Sequence, residues 1–144
     1  MSAMSDFLEN SLVDQIFRGQ TAPTTSTLYI SLYTAAPSDV GGGTELTGAG
    51  YARVSVTSSL ANWAGTQSSG STVASSGTGG GTSNNIAITF PEPTAGWGQV
   101  QAFGVHDAST GGDLIFHGSL TINKTINEGD TVTFPAGSLA VTFA

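Results

Sequence analysis

The stretch from residue 90 to residue 143 is a series of short runs in which apolar residues fall mostly at every second position. That period belongs to a β-strand with one buried face and one face toward solvent. Turns rich in Gly, Asn and Asp separate several of the runs, and these residues favour tight hairpin connections. We therefore predict consecutive antiparallel strands, at residues 99–105, 113–119, 119–126, 131–134 and 138–143.

The first half of the chain adds strands with the same alternation. Residues 27–33 show it most clearly, and residues 51–57 and 84–90 follow the same pattern. The two halves together give about eight strands. The predicted fold class is all-β: an antiparallel β-sandwich, jelly-roll-like, with one short N-terminal α-helix, and a small barrel is the alternative. The inward-facing residues expected in the first half are Leu28, Ile30, Leu32, Ala52, Val54, Val56, Ile86, Ile88 and Phe90.

The helix is predicted at residues 5–18. Ser5 or Asp6 is suited to cap its start, and Gly19 to end it. A helix this short is marginal alone, so its apolar face must be covered. We expect that face to pack on the chain's own β domain, with docking on a neighbouring subunit as the alternative. The face is expected to consist of Leu8, Leu12 and Ile16, widened by Val13 and Phe17.

The chain is predicted to have two parts. Residues 1–19 form an N-terminal helix or arm, and residues 20–144 form a single β-sandwich domain. Within that domain, residues 65–83 are rich in Ser, Thr and Gly and bury little apolar area. We expect them to form a long exposed loop, or a weak edge strand near residues 72–74.

The charge content limits the partners of the chain. Of 144 residues only 9% are charged, and three cations against ten acids give a net charge of −7. Three cations cannot make the roughly six to ten phosphate contacts of ordinary DNA binding, so we expect no nucleic-acid and no membrane partner. The sequence has no cysteine, which is consistent with synthesis in a reducing cytosol, and its first residues show no signal-peptide pattern.

The residues that could carry chemistry do not form a recognisable motif. Ser109, His106 and Asp107 are the right residue types for a triad, but neighbours in one turn rarely orient one another in that way. Residues 107–113 place oxygen ligands at alternate positions, as a calcium loop does, but lack the Glu at the twelfth position. A plain hairpin turn explains the same residues. We therefore predict no enzyme, and no catalytic, cofactor-binding or metal residues.

The Gly-rich segments and the aromatic residues could each indicate a ligand site, but a structural role is more common for both. The Gly-rich segments lack the Lys-Ser/Thr ending and following helix of a phosphate loop. Aromatic residues could stack on a sugar, but packing in or beside the core is their more frequent role on strands. Those aromatic residues are Trp63, Trp97, Tyr29, Tyr33 and Tyr51.

Several blocks, in their order along the chain, carry a family resemblance. They are DFLENSLVDQIFRG (6–19), LYISLYTAAPSD (28–39), GGGTE (41–45), GYARV (50–54), WG (97–98), FGVHDASTGGD (103–113) and KTINEGD (124–130). Together they resemble a family of small tailed-bacteriophage virion proteins, often labelled tail fibre proteins, of which some resemble capsid cement, or decoration, proteins. The resemblance spans nearly the whole chain and brings no catalytic residues with it.

The resemblance implies a virion structural protein. The first expectation is a capsid cement protein that binds the assembled major capsid protein on the outer capsid surface, as a homo-oligomer, a dimer or trimer. Residues 1–17 and the long loop would then contact the capsid. The alternative is a tail or tail-fibre component, with residues 65–83 binding host carbohydrate.

Overall fold

A computed structural model describes residues 2–22 and 25–143. Residue 1 of the expected N-terminal arm and residues 23, 24 and 144 of the expected β-sandwich domain lie outside the described residues. Within the described residues the chain has one helix, α1 (Asp6–Phe17), and ten strands. The strands are β1 (Ser2–Met4), β2 (Thr27–Ala35), β3 (Thr44–Glu45), β4 (Val54–Thr57), β5 (Gly81–Ser83), β6 (Ile88–Thr89), β7 (Gly98–His106), β8 (Leu114–Ile126), β9 (Thr133–Phe134) and β10 (Ala140–Thr142).

One six-stranded antiparallel sheet dominates the fold. Its order is β1-β8-β7-β2-β3, and β4 also pairs with β2. Two small antiparallel sheets, β5 with β10 and β6 with β9, supply the second layer. The predicted all-β, sandwich-like antiparallel fold with one short helix is confirmed. The described helix is too short to cross a membrane.

The core lies between the main sheet and the two small sheets. Ile30 and Leu32 of β2 are buried in it, as the alternation predicts. Val100 and Phe103 of β7 both face it although they are three positions apart, because the ladder with β8 shifts between Val100 and Ala102. Ala52 and Ile86 are exposed, so their predicted inward positions are wrong. The buried core residues are Ile30, Leu32, Leu46, Val56, Ile88, Phe90, Trp97, Val100, Phe103, Val105, Phe116, Leu139 and Val141.

The two strands predicted at residues 113–119 and 119–126 are one continuous strand, β8. Along the β7–β8 pair, Ala102 lies opposite Ser119 and Val100 lies opposite Lys124. Between these two pairs β8 therefore has more residues than β7. The extra residues form a bulge, which keeps the strand going while it bends away from its neighbour. The short strand β1, which the sequence pattern did not indicate, pairs with the first half of β8.

The Ser/Gly-rich segment is an irregular, mainly exposed loop up to β5, as the first of the two expectations states, and no strand forms at residues 72–74. Its shape is held by polar contacts and not by apolar burial. The Gln67 amide donates to Ser71 Oγ at 2.8 Å, and Asn85 Nδ2 donates to the Ser71 carbonyl at 3.0 Å. Thr66 Oγ1 donates to the Ser76 carbonyl at 2.9 Å.

The ends of α1 follow from local chemistry. Ser5 is the N-cap, and its hydroxyl accepts a hydrogen bond from Leu8 N at 3.3 Å. Gly19 follows the helix with φ +65°, a conformation that glycine adopts without strain and that commonly ends helices. Ser5 N also donates to the Ile115 carbonyl at 3.0 Å, which fastens the start of the helix to β8.

Candidate functional site

The face of the main sheet opposite the core carries a buried polar cluster. His106 Nε2 lies 2.8 Å from Ser31 Oγ and 3.2 Å from the Tyr33 hydroxyl, and the rings of Tyr33 and His106 stack. All three residues are buried, with His106 only 4% exposed. The expectation that one face of these strands is open to water is therefore wrong at the centre of β2 and β7, where both faces are covered.

The electrostatics of the cluster keep His106 neutral. Burial, with a smaller contribution from the nearby charge of Arg53, lowers the pKa of His106 to about 4. Burial also raises the pKa of Tyr33, with a smaller effect from the charge of Glu45. His106 Nδ1 is buried and has no hydrogen-bond partner among the described residues. Protonation of the His106 imidazole is therefore unfavourable in the folded protein.

Beside the cluster, Arg53 joins three parts of the chain. Its Nε and Nη2 donate to the two carboxylate oxygens of Glu45, each at 2.7 Å. Its Nη1 donates to the carbonyls of Ala108 and Gly111, at 2.8 and 2.9 Å. The Tyr51 hydroxyl donates to Glu45 at 3.0 Å. Arg53 thus ties β3 to the turn between β7 and β8.

The pKa values of this group reflect the same contacts. Burial alone would raise the pKa of Glu45, but the hydrogen bonds and charge of Arg53 outweigh it and lower that pKa. The hydrogen bonds with Glu45 raise the pKa of Arg53. Burial raises the pKa of Tyr51, and the Glu45 carboxylate adds to the rise. Glu45 and Arg53 are therefore both charged, and their two parallel hydrogen bonds stabilise the ion pair.

The structure does not assemble the triad considered from the sequence. The partners of His106 are Ser31 and Tyr33 of β2, and not Ser109. The carboxylate of Asp107 accepts from Asp113 N at 2.8 Å and so holds the hairpin turn. In the possible calcium loop, two of the carbonyls already accept from the Arg53 guanidinium. These contacts give residues 107–113 a structural role as a hairpin turn.

Three of the five aromatic residues considered for sugar stacking are enclosed in the fold. Trp97 is buried and donates from Nε1 to the Ala49 carbonyl at 2.9 Å. Tyr51 packs edge-on against Trp97, with ring centroids 5.5 Å apart, and stacks on Phe90. Tyr33 belongs to the polar cluster. The five residues therefore do not form a single exposed platform.

The helix α1 presents two different apolar sides. One side, with Leu8, packs against the core cluster, which agrees with the expectation that the helix covers its own β domain. The other side, which we call the outer face of α1, consists of Val13, Ile16 and Phe17. These side chains are 49%, 67% and 80% exposed. The prediction that Val13, Ile16 and Phe17 pack with Leu8 on the chain's own β domain is wrong.

The outer face of α1 follows helical spacing, since positions 13, 16 and 17 are three and four residues apart. The ion pair of Arg18 with Asp14, at 2.6 Å, lies exposed on the same helix. Asp6 and Glu9 occupy the first turn. The helix therefore offers a small apolar patch at its C-terminal end and negative charge at its start. Such a patch can bind another protein by burying its side chains, and it needs no chemistry to do so.

A comparison with protein families matches residues 3–142 to the family described as Podophage GP4 fiber I protein gp80. The match covers both α1 and nearly all of the β fold. No curated protein matches the chain.

Proposed function

We propose that this chain, which belongs to the podophage GP4 fiber I protein gp80 family and is a bacteriophage virion structural protein, docks on a neighbouring virion protein through the outer face of α1. In this role it is a fibre component that attaches by surface contact. Binding is the whole of the proposed function, and it includes no catalytic step.

The observation that carries this proposal is the exposure of Ile16 and Phe17 beside a helix side that is already packed. The fold of the chain leaves most of both side chains exposed. Full burial of one such side chain against a partner is worth about 1.5–3 kcal/mol. The partner surface should be apolar where it meets Phe17 and should not be acidic, because the chain has a net charge of −7.

A capsid cement role is the second candidate. It is favoured by the shape of the molecule, because α1 and all three sheets pack around one core cluster as a compact body and not as a shaft. A compact body suits a position on a shell lattice, where it would stabilise the assembled shell by binding it in preference to loose subunits. Copy number separates the two candidates: hundreds per particle favour the shell, and about three to twelve favour a fibre.

The proposal is tested with phage particles that carry Phe17→Ser. Loss of most of the Phe17 burial should weaken docking roughly 10- to 100-fold, because each 1.4 kcal/mol is a factor of ten. The readout is the amount of this chain per purified particle, measured by quantitative mass spectrometry. Incorporation at the wild-type level would contradict the proposal.

The matched control is Leu60→Ser. Leu60 is also an exposed apolar residue, 58% exposed, but it lies between β4 and the Ser/Gly-rich loop and not on α1. It should leave incorporation unchanged. Urea unfolding of both purified variants shows whether either substitution disturbs the fold itself.

A further inference from the structure

The second half of β8 is an open edge of the main sheet. β1 pairs with β8 only from Phe116 to Gly118. Beyond that point β8 pairs with β7 at Ser119 and again at residues 124–126, with the bulge at residues 120–123 between them. No other described strand pairs with the second side of β8. We call residues 119–126 the free edge of β8. Its backbone N–H and C=O groups on the open side are available to another strand.

An apolar groove runs along the free edge. It has a volume of about 560 Å³ and lies between β8 and the segment that carries β9 and β10. Ile122, at the bulge, is 67% exposed at the mouth of this groove. The apolar side chains that line it include Leu120, Ile122, Ile126, Val132, Phe134 and Leu139.

The free edge of β8 lies in one of the acid-free stretches of the chain. From residue 114 to residue 127 there is no Asp and no Glu, although the chain carries ten acids. The one charge in this stretch is Lys124, and no ion pair within the described residues includes it. Two copies of a chain with net charge −7 repel each other, and the repulsion is weakest where the approaching surfaces carry no acid.

We propose that the free edge of β8 pairs antiparallel with the free edge of a second copy of this chain. The contact is two-fold symmetric, so each strand offers the same row of donors and acceptors. Ile122 lies at the axis, because this register lets the exposed Ile122 side chain meet its own copy. The same register places Lys124 opposite Leu120 of the second copy, and the two lysines do not face each other. The groove then closes over apolar side chains of both copies.

The register is chosen against two others. Centring the pair on Lys124 would bring like charges into contact, which is unfavourable across a strand pair. Centring it on Asn123 would place Lys124 opposite Ile122 and lose the apolar contact. A bulge and a lysine on an edge strand also occur as devices that prevent pairing. In that case the chain is monomeric, and this is the outcome that overturns the proposal.

The first experiment is sedimentation equilibrium of the purified chain over a range of concentrations. The expected result is a mass that rises with concentration from 14.5 kDa toward twice that value. Ile122→Asp should weaken the association roughly 100-fold or more, because it replaces an apolar contact by two like charges at the axis. Val73→Asp adds the same charge elsewhere and should associate as the wild type does. A wild-type chain that stays at the monomer mass, or equal weakening by both variants, overturns the proposal.

The second experiment uses the absence of cysteine from the sequence. Side chains directly opposite in an antiparallel pair have Cβ atoms about 4.5–5.5 Å apart, close to the separation that a disulfide needs. Ile122→Cys should therefore form a reducible cross-linked dimer on mild oxidation at least about tenfold faster than Val73→Cys. Equal rates of cross-linking would overturn the register. Neither experiment needs a virion, so its failure is distinct from failure of the α1 docking proposal.

Discussion

Removal of His106 should make the stability of this protein less sensitive to acid. The perturbation is His106→Gln, which keeps a polar side chain next to Ser31 and Tyr33 but cannot take up a proton in the range studied. The wild-type imidazole is buried, and its folded-state pKa of about 4 lies below the value of about 6.5 in an unfolded chain. The unfolded state therefore binds the proton more readily than the folded state does.

The sign and size of the effect follow from this difference. Above pH 6.5 both states hold a neutral His106, and its protonation costs no stability. As the pH falls from 6.5 toward 4, the unfolded state is protonated first, and stability is lost. A difference of about 2.5 pKa units corresponds to about 3 kcal/mol as an upper limit, and most of it is lost by pH 4.5.

The assay is urea unfolding at pH 7.5 and at pH 4.5. Between these values the wild type should lose about 2.5 kcal/mol more than His106→Gln loses. His117→Gln is the matched control, because it removes the other histidine, which contacts Asp39 at 2.8 Å, and leaves His106 in place. Parallel pH dependence of the wild type and His106→Gln would refute the reasoning, since His106 would then titrate alike in both states.

Two further predictions concern stability and are checked by urea unfolding at neutral pH. Arg53→Met should cost about 3 kcal/mol, because it leaves the Glu45 carboxylate without its bidentate partner, whereas Arg18→Met removes only an exposed pair and should cost under about 0.5 kcal/mol. Equal losses would show that the Arg53 pair contributes no more than a surface pair. Gly43→Ala should cost about 1–3 kcal/mol more than Gly42→Ala. Both glycines have positive φ, but a Cβ at Gly43 would lie 2.6 Å from the Ala35 carbonyl oxygen, while Gly42 has open space; similar losses would show that the close approach is easily relieved.

The core was predictable because it depends on a local pattern. The alternation in residues 27–33 identified Ile30 and Leu32, and both are fully buried. The cap of α1 was predictable for the same reason, since Ser5 and the helix it caps are adjacent in the sequence. The bulge in β8 was not, because a run of residues with strand propensity looks the same whether it is one bent strand or two strands.

The contacts of the polar cluster could not be predicted from the sequence. His106 meets residues of β2 that are 75 and 73 positions away, so its burial depends on which strands pair. The outer face of α1 was missed for a similar reason. The pattern shows that Leu8 and Ile16 are apolar on a helix, but only the path of the helix over the sheet decides which of them is covered. That path is set by contacts such as Ser5 with Ile115.

Cryo-electron microscopy of the assembled phage particle tests the central claim most directly. The account predicts density for this fold on the particle, with Ile16 and Phe17 covered by a neighbouring virion protein. A particle that contains this chain with the outer face of α1 still open to solvent would contradict it.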